Sequence, residues 1–319
     1  MTDFVNKLTQ SIFSLLGLCL HVIKVSFAKK DCPKSLACHI LFLMSFSMPP
    51  SKNLMIGMVI PTFNRPDLLD IALKSLQAQS YQNWKAVVIN DLSSVDYQSV
   101  ELVFSEDSRI RFFTRASNGG VNQACNTGLD QLAADGDVDF IAIMDDDDTY
   151  ALDFFEAAVV QIHAHPEYSW FMSNNYGEQK KSSRRIMKEG ELDYVDDYIY
   201  GKFRGDKGRL IAAWILKELR FDPRFRSSHR WPFFTDVAQH TKIWAFPHDS
   251  VYKRYLDQGI TKSVGASMSL KDILHSVYKH WHVIRLRPTK LAAYKYLILE
   301  SLKAIPRALR RCIYYLTSK

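Results

Sequence analysis

The chain has 319 residues, 47% apolar and 24% charged, with a formal net charge of +7. That length and composition support one large or two small globular domains with a sizeable core, and exclude a disordered or fibrous protein. The charge is local: residues 270–319 hold eleven Lys and Arg against Asp272 and Glu300, a net +9 that leaves −2 on everything before them. A basic tail on a near-neutral body gives no ground for nucleic acid as a partner. Five cysteines without a CxxC pair exclude a disulfide framework and a zinc site, and fit a reducing compartment.

Residues 1–50 form an apolar N-terminal extension. Ser11–Phe27 is broken by His21 and Lys24, Leu36–Met48 is shorter still, and neither makes a clean membrane span. The extension reads as an anchor, as helices packed on the body, or as sequence upstream of a start at Met48 or Met55. From Leu54 a regular alternation begins. Apolar strands are predicted over 55–60 and 84–90, near Ile110–Thr114 and over Phe140–Met144. Between them come helices over Asp67–Gln79, with Leu68, Ile71, Ala72 and Leu76 on one face, and from about Asn122 to Ala134. Parallel βαβ units follow, and a doubly wound α/β half. After a helix from about Leu152 to His163 the rhythm weakens into a Lys/Arg-rich loop at Lys180–Arg185 and less regular segments.

In an open parallel sheet, ligands bind beyond the carboxyl ends of the strands, so the residues just after each strand carry the chemistry. Strand one ends in Pro61-Thr62-Phe63-Asn64-Arg65, strand two in Asn90-Asp91, and strand four in Asp145 to Asp148. Four aspartates in isolation read as a solvated loop. Directly after the buried run Phe-Ile-Ala-Ile-Met they point at a cleft, where carboxylates brought together call for a divalent cation, Mn²⁺ or Mg²⁺. Asn118-Gly119-Gly120 lacks the Lys-Ser/Thr ending of a phosphate loop and reads as a turn before a helix. Asp236 either caps a helix over Val237–Thr241 or acts as a base. Trp231, beside His229 and Arg230, either stacks on an acceptor sugar or fills the core. His229, His240 and His248 match no zinc spacing.

The stretch from Val59 through Asp96 resembles the opening of the family 2 glycosyltransferases, whose fold is GT-A: a Rossmann-like nucleotide-binding half with a mixed sheet and an acceptor-binding half. The likeness continues through Asn118–Gln131, through DFIAIMDDDDTY with its Asp-x-Asp pattern, and through the segment ending in Thr235-Asp236. It ends in VYKRYLDQGITKS, similar to members that build bacterial capsule, O-antigen or lipopolysaccharide, and so covers a GT-A domain over 51–265. The resemblance implies an inverting transfer from a nucleotide sugar, UDP-linked by preference, to a saccharide or lipid-linked hydroxyl. Pro61, Thr62, Phe63, Asn64, Arg65, Asp91, Asn118, Gly119, Asp145 and Asp146 would bind the nucleotide. Asp145 and Asp147 would hold the metal, Asp147 foremost. Asp236 would be the general base, with His229, Arg230 and Trp231 near the acceptor. Two positions depart from the pattern: Leu92 stands where Gly is usual, and Cys125 where Arg often precedes Asn126. Within enzymes the alternative is a nucleotidyltransferase, disfavoured by the absence of a Gly-rich loop after strand one; outside them, a non-catalytic nucleotide-sugar-binding partner subunit.

The tail, residues 266–319, is predicted to form basic amphipathic helices over Tyr278–Arg287 and Lys290–Tyr315, broken at Pro288 and Pro306. Leu291, Tyr294, Leu297, Ile298 and Leu302 would make an apolar face edged by Lys290, Lys295, Lys303, Arg307, Arg310 and Arg311. That face would rest on an anionic membrane, holding a cytoplasmic enzyme peripherally at the cytoplasmic leaflet, or pack on the catalytic body.

Overall fold

The computed structural model describes residues 53–177, 185–201, 206–226, 230–253 and 270–303. The apolar extension 1–50, residues 180–184 of the basic loop, His229 and the tail beyond residue 303 lie outside the described residues.

Strands β1 (Ile56–Thr62), β2 (Trp84–Asn90), β3 (Ile110–Thr114) and β4 (Phe140–Ile143) pair in parallel in the order 3-2-1-4, with Ile56 opposite both Trp84 and Phe140. Helices α1 (Pro66–Gln77), α2 (Gln98–Phe104) and α3 (Val121–Asp135) make the crossovers. All seven residues of β1 are buried, as a central strand covered on both faces requires. Alternation divides them: Ile56, Met58 and Ile60 enter one core with Leu69, Leu73, Phe104 and Phe155, while Val59 enters the other with Leu129 and Leu132 of α3. Pro66 opens α1, where its missing N–H costs nothing. The buried face of α1 is Leu69, Ala72, Leu73 and Leu76, about one position round from the predicted one; Leu68 is half-buried and Ile71 exposed. Gly128 lets α3 lie directly on β1, since a Cβ there would fall 2.4 Å from Val59 Cγ1.

Order also extends where the sequence suggested irregular segments. Beyond β4 the sheet continues through β8 (Gly208–Ala212), β6 (Trp170–Gly177), β9 (Ile243–Lys253) and β5 (Asp148–Tyr150), with β7 (Gly190–Leu192) also on β9. Pairing here is mixed: β4 with β8, β8 with β6, and β9 with β5 and β7 are antiparallel, and β6 with β9 is parallel. Helix α4 (Phe154–Ala164) covers one face. A π-helical turn (Tyr194–Ile199), α5 (Ala213–Leu216) and α6 (Trp231–Val237) belong to the other half.

The tail helices are part of this body. α7 (Leu270–Leu286) packs on α6 and buries Val283 and Ile284. Arg287 then reaches both oxygens of Asp193 at 2.7 Å, the residue whose carboxylate caps the π-helical turn. α8, residues 291–303, follows the break at Pro288 and buries Ala293, Leu297 and Glu300. The predicted apolar face is therefore split. Leu297 points inward, whereas Leu291, Ile298 and Leu302 stay exposed, joined by Leu299. No helix among the described residues is long and apolar enough to cross a membrane.

Candidate active site

The order 3-2-1-4 reverses between β1 and β4, so the ends of these two strands flank the crevice where a doubly wound sheet binds ligands. Thr62 leaves β1 and Asp145 to Asp148 leave β4 at that place. The backbone turns here, Asp148 N donating to Asp145 O at 3.1 Å, and the turn sends the four side chains to different surroundings. The side chains of Asp145 and Asp147 are 35% and 20% exposed, while Asp146 and Asp148 are buried.

Asp146 ties the two strands together. Arg65 N–H donates to Tyr97 OH at 2.9 Å, Tyr97 lies 2.7 Å from Thr62 Oγ1, and Thr62 donates to Asp146 Oδ2 at 2.8 Å. Arg65 Nη2 stands 2.5 Å from Asp146 Oδ1, an ion pair without hydrogen-bond alignment. Burial pushes the Asp146 carboxyl up to about 7, against the opposing pull of Arg65 and Thr62. The two partly exposed carboxylates meet arginines from different segments: Asp147 takes Arg65 Nη1 at 3.1 Å and Asp145 takes Arg230 Nη2 at 2.9 Å. Among the described residues no three His, Cys, Asp or Glu side chains form a ready metal nest. Two partly exposed hard oxygen donors on one turn nonetheless fit a cation that completes its shell from a bound diphosphate and water.

The exit of β2 is laced to that of β1. Asn64 Oδ1 accepts from Ser94 N at 2.8 Å, Asn64 N donates to Ser93 Oγ at 2.9 Å, and Phe63 beside them is exposed. Asp91 is buried, and its carboxylate accepts from Gly119 N at 3.0 Å, Gly120 N at 2.6 Å and the Arg115 guanidinium. Asn118 donates to Asp91 O at 2.9 Å, so the Asn-Gly-Gly turn is pinned to β2 before α3 begins. Gly120 has φ +85°, and a Cβ there would meet the Arg226 carbonyl at 2.2 Å. Leu92 adopts φ +56°, the left-handed region that favours Gly, which gives the departure at this position a conformational cost. Cys125 is wholly buried within the electrostatic reach of Arg230, and burial pushes its thiol up to about 11.

On the opposite half, Asp236 lies in the last turn of α6. The helix precedes it instead of following it, so the predicted capping of Val237–Thr241 does not occur. His282 Nε2 on α7 lies 2.8 Å from Asp236 Oδ1. Trp231 is half-buried, with the Tyr278 ring 6.1 Å away and the Lys279 ammonium 5.9 Å above it. A cavity of about 50 Å³ opens between the halves of the sheet, lined by Asp145, Asp206, Lys207, Arg209, Arg230 and Phe234. Burial, reinforced by Arg209, lowers the Lys207 ammonium to about 8. Neither Lys207 nor His282 was singled out from the sequence: the first stands just before a short strand without clear periodicity, and the second in a segment that reads as tail.

Residues 58–226 match the family model of glycosyl transferase family 2. The chain belongs to that family. Asp145 to Asp148 fall inside the matched segment, whereas Arg230, Asp236 and His282 lie beyond it. Among relatives, a Campylobacter jejuni GalNAc(5)-diNAcBac-PP-undecaprenol beta-1,3-glucosyltransferase is 29% identical over 218 residues, 66% of this chain and 68% of that one. In structure, Staphylococcus aureus TarS (residues 1–349, in complex with UDP-GlcNAc) superposes with a TM-score of 0.64 at 15% identity, covering 76% of this chain and 70% of that one. The Pyrobaculum calidifontis mannosyltransferase PcManGT, in complex with GDP-Man and Mn²⁺, superposes at 0.56 with 16% identity over 96% and 88% of the two chains. At these identities the superpositions establish the shared GT-A fold, and the sequence match establishes the family 2 glycosyltransferase.

Proposed function

We propose that the chain inverts the anomeric carbon of a nucleotide sugar, UDP-linked by preference, while passing the sugar to a hydroxyl of a saccharide or lipid-linked acceptor in cell-surface polysaccharide synthesis. The observation that carries this reading is the turn Asp145 to Asp148 at the switch point, which leaves the carboxylates of Asp145 and Asp147 partly open and buries those of Asp146 and Asp148. Asp147, with Asp145, would hold Mn²⁺ or Mg²⁺. That cation supplies stabilisation of the charge developing on the leaving diphosphate. Phe63, Asn64 and Arg65 line the nucleotide side with Pro61 and Thr62 behind them, and Asp91, through Asn118 and Gly119, fixes the shape of the base site. Asp236 takes the acceptor proton as the new bond forms, because a neutral hydroxyl is a weak nucleophile. Arg230 and Trp231 face the acceptor side. The measurement is a screen of nucleotide sugars for hydrolysis by the full chain. One donor should be cleaved with Mn²⁺ or Mg²⁺ present and spared in EDTA; cleavage of none, with any metal, would remove the proposal.

The likeness to an enzyme whose name includes an undecaprenol-linked substrate supports a lipid-linked acceptor and a peripheral position at the cytoplasmic leaflet. α8 supplies a surface suited to it: the stripe Leu291, Ile298, Leu302, edged by Lys295 and by Lys303, the latter paired with Glu300, while Lys290 is turned to Asp196. Each basic residue at an anionic surface contributes about 1 kcal/mol. Truncation would expose the core under α7 and α8, so the full chain carrying Leu291→Ser, Ile298→Ser and Leu302→Ser is the better test. The parent chain should co-sediment with anionic vesicles and not neutral ones, and the triple variant should stay in solution. Equal sedimentation of the two would relieve the stripe of any membrane role.

A further inference from the structure

We propose that His282 is the positioning residue of the base, holding one oxygen of Asp236 so that the other meets the acceptor. The inference rests on the reading of Asp236 as the base. His282 stands in α7, where Val283 and Ile284 next to it are buried, so the ring is delivered by a packed helix and not by a loose tail. Its Nε2 lies 2.8 Å from Asp236 Oδ1. Its Nδ1 is buried and meets no acceptor. An ionised carboxylate oxygen only accepts, so the ring nitrogen 2.8 Å from it must be the donor. The ring therefore carries its proton on Nε2 and donates it to Asp236. Asp236 Oδ2 has no partner among the described residues, and the side chain keeps a third of its surface open.

This arrangement has one consequence for the transfer step: the carboxylate is held in one rotamer with Oδ2 outward. When the acceptor hydroxyl attacks, its O–H bond breaks and the proton goes to Asp236 Oδ2. The new bond forms from the acceptor oxygen to the anomeric carbon, and the bond to the diphosphate breaks with its electron pair leaving on the diphosphate. His282 keeps its own proton throughout. The other ionisable groups nearby are Asp222, held by Arg224, and the Tyr278 phenol one turn earlier on α7, whose ring lies 6.0 Å from the imidazole. Lys279 is turned to Trp231, and Arg287 to Asp193.

The test is His282→Ala and His282→Gln in the full chain, read as kcat and donor KM. His282→Ala should lower kcat roughly 10- to 100-fold with donor KM within about twofold, a loss confined to the transition state. His282→Gln, which retains an N–H, should recover part of the lost kcat. A fall in kcat with no recovery in the Gln variant would reduce His282 to a packing residue. Wild-type kcat in His282→Ala would overturn the inference outright. If Asp236→Asn is as active as wild type, the base assignment itself fails; an inactive Asp236→Asn beside a normal His282→Ala sinks only the positioning role.

Discussion

Asp147→Ala is expected to abolish measurable sugar transfer and to weaken donor binding, while Asp145→Ala does less. Asp147 is one of the two partly exposed carboxylates beyond the end of β4, and Arg65 at 3.1 Å is among its protein partners. Removing it leaves Arg65 its contact with Asp146, and leaves the buried links from Thr62 and Tyr97 intact. The fold should therefore survive, and the loss should fall on the chemistry. A cation at a diphosphate supplies several kcal/mol of charge stabilisation, so the rate should drop by about three orders of magnitude or more. Titration of UDP in the presence of Mn²⁺ should show the weaker binding, and thermal unfolding should lie close to that of the wild type. Undiminished wild-type activity in excess EDTA would contradict the metal assignment directly.

The first half of the molecule was legible because its parallel strands are apolar on both faces and end in polar residues. Strands over 84–90 and 110–114 stand where they were predicted, since nothing interrupts the runs Trp-Lys-Ala-Val-Val-Ile-Asn and Ile-Arg-Phe-Phe-Thr. The second half hides its strands. β6 carries Ser173, Asn174 and Asn175 in the middle of a buried stretch, so neither alternation nor a continuous apolar run appears. Asn174 is tolerated there because its side chain accepts from Ile186 N at 2.7 Å and donates to Ile186 O at 2.9 Å, a pairing set by chain distant from the strand. β9 contains Pro247 followed by His-Asp-Ser, which reads as a loop, and its pairing with β6 shifts register at this level. Such strands are fixed by tertiary partners rather than by local pattern.

The candidate site divides in the same way. The acids after β4 could be read because the strand before them points at the switch point. Which two stay open is set by the turn that Asp148 N closes onto Asp145 O, which the run of four identical residues does not reveal. The arginines that meet them could not be read. Arg230 comes from a segment 85 residues away, and nothing local marks it as the partner of Asp145. His282 lies among Lys, His and aromatic residues that suggest a membrane-facing or surface helix. Only the packing of α7 on α6 brings it to Asp236.

Asp236→Asn should keep donor affinity within a few-fold of wild type yet lower turnover by roughly a hundredfold or more, the usual scale for a lost general base. The substitution is nearly isosteric. The amide oxygen can still accept from His282, and the backbone carbonyl at this position still receives Gln239 N at 3.0 Å, so α6 should end as before. What disappears is the capacity to take a proton, because an amide oxygen is far too weakly basic to deprotonate a sugar hydroxyl as it attacks. On the proposed reading donor binding rests on Asp147 and the loop after β1, and Asp236 is not among the residues assigned to it. The split is therefore diagnostic when kcat and donor KM are measured with the acceptor saturating. A collapse of kcat with KM preserved identifies Asp236 as the proton acceptor. Weakened donor binding with turnover preserved would place it in the scaffold, as the end of a short helix held to α7 by His282.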